Sequence, residues 1–170
     1  MIRDNIVSPP HREEGVGVVV AQRRAATVVA IAVFLVLAIA ILFIRFKSPH
    51  PTVHFPDGTV VSVEIADSPE ERRVGLSDHI FLDPDRGMLF MLDGLSRPAF
   101  WMKDMKFPID IVWLRDGIVV GIEPSMPVST DMNPPSVRPN GDINQVLEVN
   151  AGFALKHDLK PGQSLDINLP

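Results

Sequence analysis

Phe100-Trp101-Met102-Lys103-Asp104-Met105-Lys106-Phe107-Pro108-Ile109-Asp110-Ile111-Val112-Trp113-Leu114 holds both tryptophans of the chain, two of its seven methionines and four charges in an otherwise apolar setting. From Ile109 to Leu114 both alternating faces are apolar. Ile109, Ile111 and Trp113 point one way, and Val112 and Leu114 share the other with Asp110, which predicts a central strand buried on both sides. Asp110 is then a carboxylate inside the core. Removing an isolated carboxylate from water is so unfavourable that Asp110 requires a partner, and Lys103, Lys106, Arg97 and backbone N–H groups are the candidates.

Working outward, the chain of 170 residues has room for one ordinary domain and an appendage. In the run Ala25 to Ile44 the only polar side chain is Thr27. About 20 such residues span a ~30 Å hydrocarbon core as a helix, so residues 25–44 are read as a transmembrane helix. A cleaved signal peptide would have a shorter apolar region ending at a small-residue site, and Arg45-Phe46-Lys47-Ser48-Pro49 offers none. The absence of cysteine excludes a lipoprotein anchor, disulfides and cysteine metal sites.

Arg12, Arg23 and Arg24 before the apolar run outnumber Arg45 and Lys47 after it, which favours a cytoplasmic N-terminus. Residues 1–24 are expected to be a cytoplasmic tail, mostly disordered, and 45–51 a short linker stiffened by Pro49 and Pro51. The domain at 52–170 would then face the periplasm or exterior. Residues 48–170 carry ten Lys/Arg against eighteen Asp/Glu, a net of −8. Such a surface repels polyanions, so no nucleic-acid partner is expected.

Thr52 to Phe55 and Thr59 to Ala66 flank Pro56-Asp57-Gly58 as a β-hairpin. Ser68, Pro69 and Glu71 carry the signature of a helix start, with N-cap, first-turn proline and capping box, and Gly75 stops the helix after about two turns. Gly87 to Leu92 is a buried strand ending at a turn, Asp93-Gly94. Arg115-Asp116-Gly117 joins the central strand to a partner at Ile118 to Ile122. Pro124 to Pro139, with five prolines in sixteen residues, is expected to be a long loop. Gln145 to Val149 is a strand, Asn150 caps a short helix from Ala151 to His157, and Ser164 to Asn168 is a closing strand. These elements predict a mainly β fold, a β-rich α+β domain whose antiparallel sheet rolls into a compact barrel-like shape with two short helices, preceded by one transmembrane helix.

Gly75-Leu76, Gly87-Met88-Leu89-Phe90, Phe100-Trp101-Met102-Lys103, Pro108-Ile109-Asp110 and Val146 to Ala154 resemble, in order and spacing, a known family. It is the domain of unknown function 192 family (DUF192), also called uncharacterised protein family 0127, and the resemblance covers about residues 52–169. It implies a small β-rich domain with no agreed activity, substrate or catalytic residue. In the family pattern Lys103 is followed by Asn-Thr. Here Asp104-Met105 takes that place.

Candidate chemistry gathers around the central stretch. Trp101, Lys103, Asp104, Asp110 and Glu148 are the candidate ligand-binding residues, an aromatic face with a few polar groups at a strand end beneath the proline-rich loop. The function expected is non-enzymatic binding of a small polar ligand, glycan or envelope partner protein, without a cofactor. Acid–base chemistry by Asp110, Glu148 and Lys103 is the enzymatic alternative. Met88, Met91, Met102, Met105 and Met126 are soft ligands suited to copper(I), against which stands the use of methionine as a core filler. No Gly-x-Ser-x-Gly, Walker-type loop or His-Glu-x-x-His occurs, so the sequence supports no hydrolase or nucleotide site of those kinds.

Overall fold

A computed structural model describes residues 33–37, 50–131 and 134–170. Residues 33–37 are helical, but the rest of the expected transmembrane helix, together with the expected tail and most of the linker, lies outside the described residues. Among the described residues no helix is long and apolar enough to cross a membrane. Residues 49–170 form a compact unit of their own.

The first hairpin forms as its turn residues dictate. Strands β1 (Thr52–His54) and β2 (Val60–Ala66) pair antiparallel with Val53 opposite Val61. The Asp57 carboxylate accepts from the Thr59 amide (2.9 Å) and meets Nδ1 of His157 at 2.7 Å, which ties this turn to the far end of the chain. Helix α1 (Pro69–Val74) starts as read. The Ser68 hydroxyl accepts from the Glu71 amide, and the Glu71 carboxylate accepts from the Ser68 amide. Gly75 ends it at φ +53° and leads into a 3₁₀ turn, Gly75–Asp78.

Strand β3 (Arg86–Ser96) then lies parallel to β2, the one parallel pairing in a sheet expected to be antiparallel. The α1 and 3₁₀ segment is long enough to return the chain to the same end of the sheet, as a parallel pairing requires. β3 also continues past Asp93-Gly94, expected as a turn. Its register with β8 (Ile143–Asn150) slips between Met91 and Ser96, so the two residues mark an irregularity within the strand.

β5 (Ile109–Arg115) and β6 (Ile118–Met126) form the second hairpin. With β9 (Asp166–Asn168) they complete a sheet of seven strands in the order β6-β5-β8-β3-β2-β1-β9. The sheet curls into a half-barrel. Its C-terminal segment reaches both edges: Leu165 N–H donates to Gly117 O (2.8 Å) beside β6, and β9 itself pairs with β1. Both ends of the expected proline-rich loop hold strand instead: Pro124, Ser125 and Met126 close β6, and Ser136 and Val137 form a strand of their own. β7 (Ser136–Val137) pairs with β4 (Phe100–Trp101) in a separate small sheet.

β5 separates two cores as its alternation requires. Val112 and Leu114 join Val53, Val61, Leu89 and Leu147 on one face, whereas Ile109, Ile111 and Trp113 join Phe90, Met102 and Val146 on the other. Trp113 fits because its cross-strand partner is Gly121, where a Cβ would approach the indole to 3.1 Å.

Asp110 is fully buried, and backbone amides alone satisfy it. Oδ1 accepts from Ser125 N–H (2.8 Å) and Gly152 N–H (3.0 Å), and Oδ2 accepts from Ala154 N–H (2.8 Å). Neither lysine nor Arg97 takes part; Arg97 pairs with Asp142. Two of these amides open helix α2 (Phe153–Lys156), which is shorter than expected and has Gly152, at φ +82°, as its N-cap. Asn150 does not cap it, because its amide donates to Leu82 O and Asp83 O. Replacing Asp110 by Ala leaves three buried donors unsatisfied, and should cost on the order of 3–5 kcal/mol in chemical denaturation. A loss below about 1 kcal/mol would show the amides finding other acceptors.

Candidate functional site

Glu148 sits in β8, opposite Met88 of β3 on one side and Ile111 of β5 on the other. Its residue parity places it with Val146 on the second face of the sheet, away from Leu147 and Val149. Only 6% of its surface is exposed. Among the described residues no hydrogen bond or ion pair reaches its carboxyl. Burial without compensation pushes its pKa up from the ordinary glutamate value to about 8, so the group is neutral at pH 7.

The chain after β3 builds a wall over this carboxyl. Phe100 packs edge-on against Phe90 (centroids 5.1 Å apart) and against Trp113 (5.4 Å), which anchors β4 to the sheet. From that anchor the side chains alternate. Trp101 is 54% exposed, Met102 is buried, and Lys103 turns back outward with its Nζ 5.6 Å from the Trp101 ring centroid, within range of a cation–π contact. Asp104 adopts a left-handed backbone, φ +60°, before Met105 returns to the core. Asparagine is at home in that conformation, which gives a physical reason for Asn in the family pattern at this place.

α1 and the 3₁₀ turn form the opposite wall. Arg72 is held there by Met91 O (2.7 Å), Asp67 O and the Asp93 carboxylate (3.0 Å), so its donors are committed. Gly75 is needed at the join: besides its positive φ, a Cβ would come within 3.3 Å of the Phe90 ring. Between the two walls lies a cleft of about 470 Å³ lined by Trp101, Lys103, Asp104 and Glu148, with Leu76, Phe90 and Met105 around the buried acid. That volume falls within the range of small-molecule sites, roughly 300–1,000 Å³.

The structure thus brings together four of the five candidate residues and leaves Asp110 outside, on the other face of its strand. Among the described residues the proline-rich segment does not line the cleft either; it meets Trp101 through the pairing of β7 with β4. Arg72, Arg73 and Asp78, which do line it, carry no signal in the sequence beyond their place on a short polar helix and the turn after it. Met88, Met102, Met105 and Met126 are buried in the second core, while Met91 packs against the first and its sulfur accepts from Gln145 Nε2 at 3.7 Å. Among the described residues no three His, Asp or Glu side chains cluster as metal ligands would.

A family profile for DUF192 (Uncharacterized ACR) matches residues 52–167. Two crystal structures are similar to the chain. One, from Sinorhizobium meliloti 1021 and described provisionally as a transcription regulator, is 27% identical with a TM-score of 0.60, over 69% of this chain and 91% of that one. The other, a protein of unknown function from Novosphingobium aromaticivorans DSM 12444, is also 27% identical with a TM-score of 0.60, over 68% and 82% of the two chains. No curated protein matches.

Between the unfolded glutamate pKa near 4.5 and the folded value near 8, the native state holds a proton that the unfolded chain has lost. Stability therefore falls as pH rises through that window, in total by on the order of 3–5 kcal/mol, and levels off above it. Urea denaturation of wild type and Glu148→Gln from pH 5 to 9 should show the decline in wild type alone. Parallel curves would mean that Glu148 is ionised and paired.

Proposed function

The chain belongs to the DUF192 family, and from that premise we propose a membrane-anchored envelope protein whose cleft binds a small polar ligand, glycan or partner protein without catalysis. One observation carries the reading. An exposed tryptophan, a lysine that forms no ion pair among the described residues and a largely buried carboxyl that is bonded to none of them, from separate parts of the sequence, border one cleft. Among the described residues the Glu148 carboxyl is bonded to none, and it lines the cleft, where a ligand could meet it.

The anchor is supported by the apolar run at 25–44. Within it, the helical residues 33–37 are Val-Phe-Leu-Val-Leu, each at least half exposed, as suits a helix surrounded by lipid. Tethering confines the cleft to a thin layer beside the bilayer and raises its effective concentration toward neighbouring envelope components. The description of the Sinorhizobium protein as a regulator is not carried over to DNA binding here, because a domain with a net charge of −8 repels a phosphate backbone.

The raised pKa of Glu148 favours a second reading, in which the acid donates a proton to a bound substrate and Lys103 polarises it. Asp110 has no part in that scheme, since its oxygens are committed to backbone amides.

Isothermal titration of the full chain against envelope glycans and peptides should give saturable binding, weakened about tenfold or more by Trp101→Ala. Equal heats for the two proteins would remove the cleft from consideration. Protease added to intact cells should degrade the 52–170 domain and spare the N-terminal tail. A domain untouched until the cells are lysed would place it inside.

A further inference from the structure

Residues 79–85 join the 3₁₀ turn to β3, and hydrogen bonds clamp them on both sides. The His79 amide donates to Leu76 O (3.0 Å), and its Nε2 meets the Glu64 carboxylate at 3.2 Å. Further on, the Asn150 side chain donates to Leu82 O and Asp83 O, and Asp83 O also accepts from the Arg86 amide. Between these clamps stand Ile80 and Phe81, 82% and 69% exposed. Among the described residues of the domain no other two consecutive large apolar side chains are both exposed. A backbone held in this way does not turn them inward, so their apolar area is presented outward for something else to cover.

The sheet places this loop where the chain enters the domain. Ser62 of β2 lies between Thr52 of β1 and Arg86 of β3. Neighbouring strands are ~4.8 Å apart, so Thr52 is roughly 10 Å from Arg86, which borders the same shallow hollow as Ile80 and Phe81. One residue before Thr52, Pro51 O accepts from Val63 N–H (2.9 Å), and the residue after Val63 is Glu64, the partner of His79. The apolar run ends at Ile44, and the seven residues 45–51 span at most ~25 Å. With 25–44 in a bilayer, the headgroup layer is therefore within reach of the loop. Glu64, Asp83 and Asp85 make its surroundings acidic, and Arg86 is drawn to Glu64 at 3.9 Å. Such a rim repels anionic headgroups and suits lipid without net charge.

We propose that residues 79–85 dock on the bilayer itself, with Ile80 and Phe81 inserted between zwitterionic headgroups at the acyl boundary. This rests on the anchored reading of residues 25–44 and adds a second contact, by which the domain lies against the membrane instead of swinging on its linker. Two side chains hold a free domain weakly, but the tether makes the encounter intramolecular, so little affinity is needed. The 3₁₀ turn Gly75–Asp78 walls the cleft and leads directly into this loop, so docking keeps the cleft beside the lipid.

The chain has no cysteine, so a single introduced thiol can carry a fluorescent reporter. The full chain is reconstituted in phosphatidylcholine vesicles containing lipid spin-labelled at the headgroup or along the acyl chain. Reporters are placed at Asp83→Cys beside the loop, at Leu95→Cys, nine residues along β3 from Arg86, and at Leu35→Cys in the apolar run. Quenching by headgroup label should be at least about twofold stronger at 83 than at 95. Ile80→Ser with Phe81→Ser, both exposed and checked for folding by circular dichroism, should bring the signal at 83 down to that at 95. Equal quenching at 83 and 95, or quenching at 83 that survives the two serines, overturns the docking while quenching at 35 by acyl label leaves the anchor standing. Absence of quenching at 35 overturns the anchor and the docking with it. A reporter at 83 that lipid label does not quench, but whose emission shifts with protein density or on adding solubilised envelope protein, makes the occupant a second copy or a protein partner and overturns the lipid.

Discussion

Three backbone amides converge on Asp110, and the architecture turns on that convergence. The carboxylate stands in the central strand, yet its donors come from the end of β6, from the turn after β8 and from the first turn of α2. Each lies at a place where the backbone leaves regular structure. Ser125 has φ +51° and Gly152 φ +82°, so neither amide can join a sheet ladder. A buried N–H without an acceptor is costly, and a buried carboxylate without donors more so. Each defect is cancelled by the other. The result pins two chain reversals and one helix start to the middle of the sheet, without any cation.

That arrangement explains why the lysines of the central stretch are free for other work. Had Lys103 been the partner of Asp110, its ammonium would have been drawn into the core and Trp101 with it. Because the amides suffice, the segment from Phe100 to Asp104 is held by other means: the ring of Phe100 wedged between Phe90 and Trp113, the buried Met102 and the pairing of β4 with β7. Trp101 and Lys103 consequently face outward over the cleft. Structural satisfaction of one acid releases the groups that surround the other.

Much of the fold was legible in local pattern. The two-sided alternation from Ile109 to Leu114 identified the central strand and its two faces, and the Ser68-Pro69-Glu71 signature placed α1 to the residue, because both depend on neighbours within one or two turns of chain. The parallel pairing of β2 with β3 was not legible, since the sequence between them resembles any short helix and says nothing of where the chain returns. Asn150 looked like a cap because it precedes a short helical pattern; the acceptor that caps the helix is forty residues away in sequence, at Asp110. For the site, the parity of Glu148 with Val146 was readable, and Trp101 was placed at a strand end beside charged residues, though its exposure was not fixed by the pattern. That the two meet depends on the register of β8 against β3 and on the wall that α1 contributes, which are tertiary facts with no local mark.

Asp110 and Glu148 can be compared directly, since they lie on opposite faces of neighbouring strands in one sheet, at similar depth. The first is surrounded by donors, whereas the second lies between Met88 and Ile111 of the neighbouring strands, whose side chains offer none. Packing alone does not call for the second. Leucine or methionine would fill that position without a desolvation penalty, and burying an unpaired carboxyl costs the fold stability that a hydrocarbon would supply. Glu148 differs from a packing defect in one respect: it opens on a cavity rather than on filled space. A largely buried polar group at the edge of a cleft interacts with an incoming partner more strongly than one in open water. The same burial that weakens the empty fold thus sharpens what the cleft can discriminate.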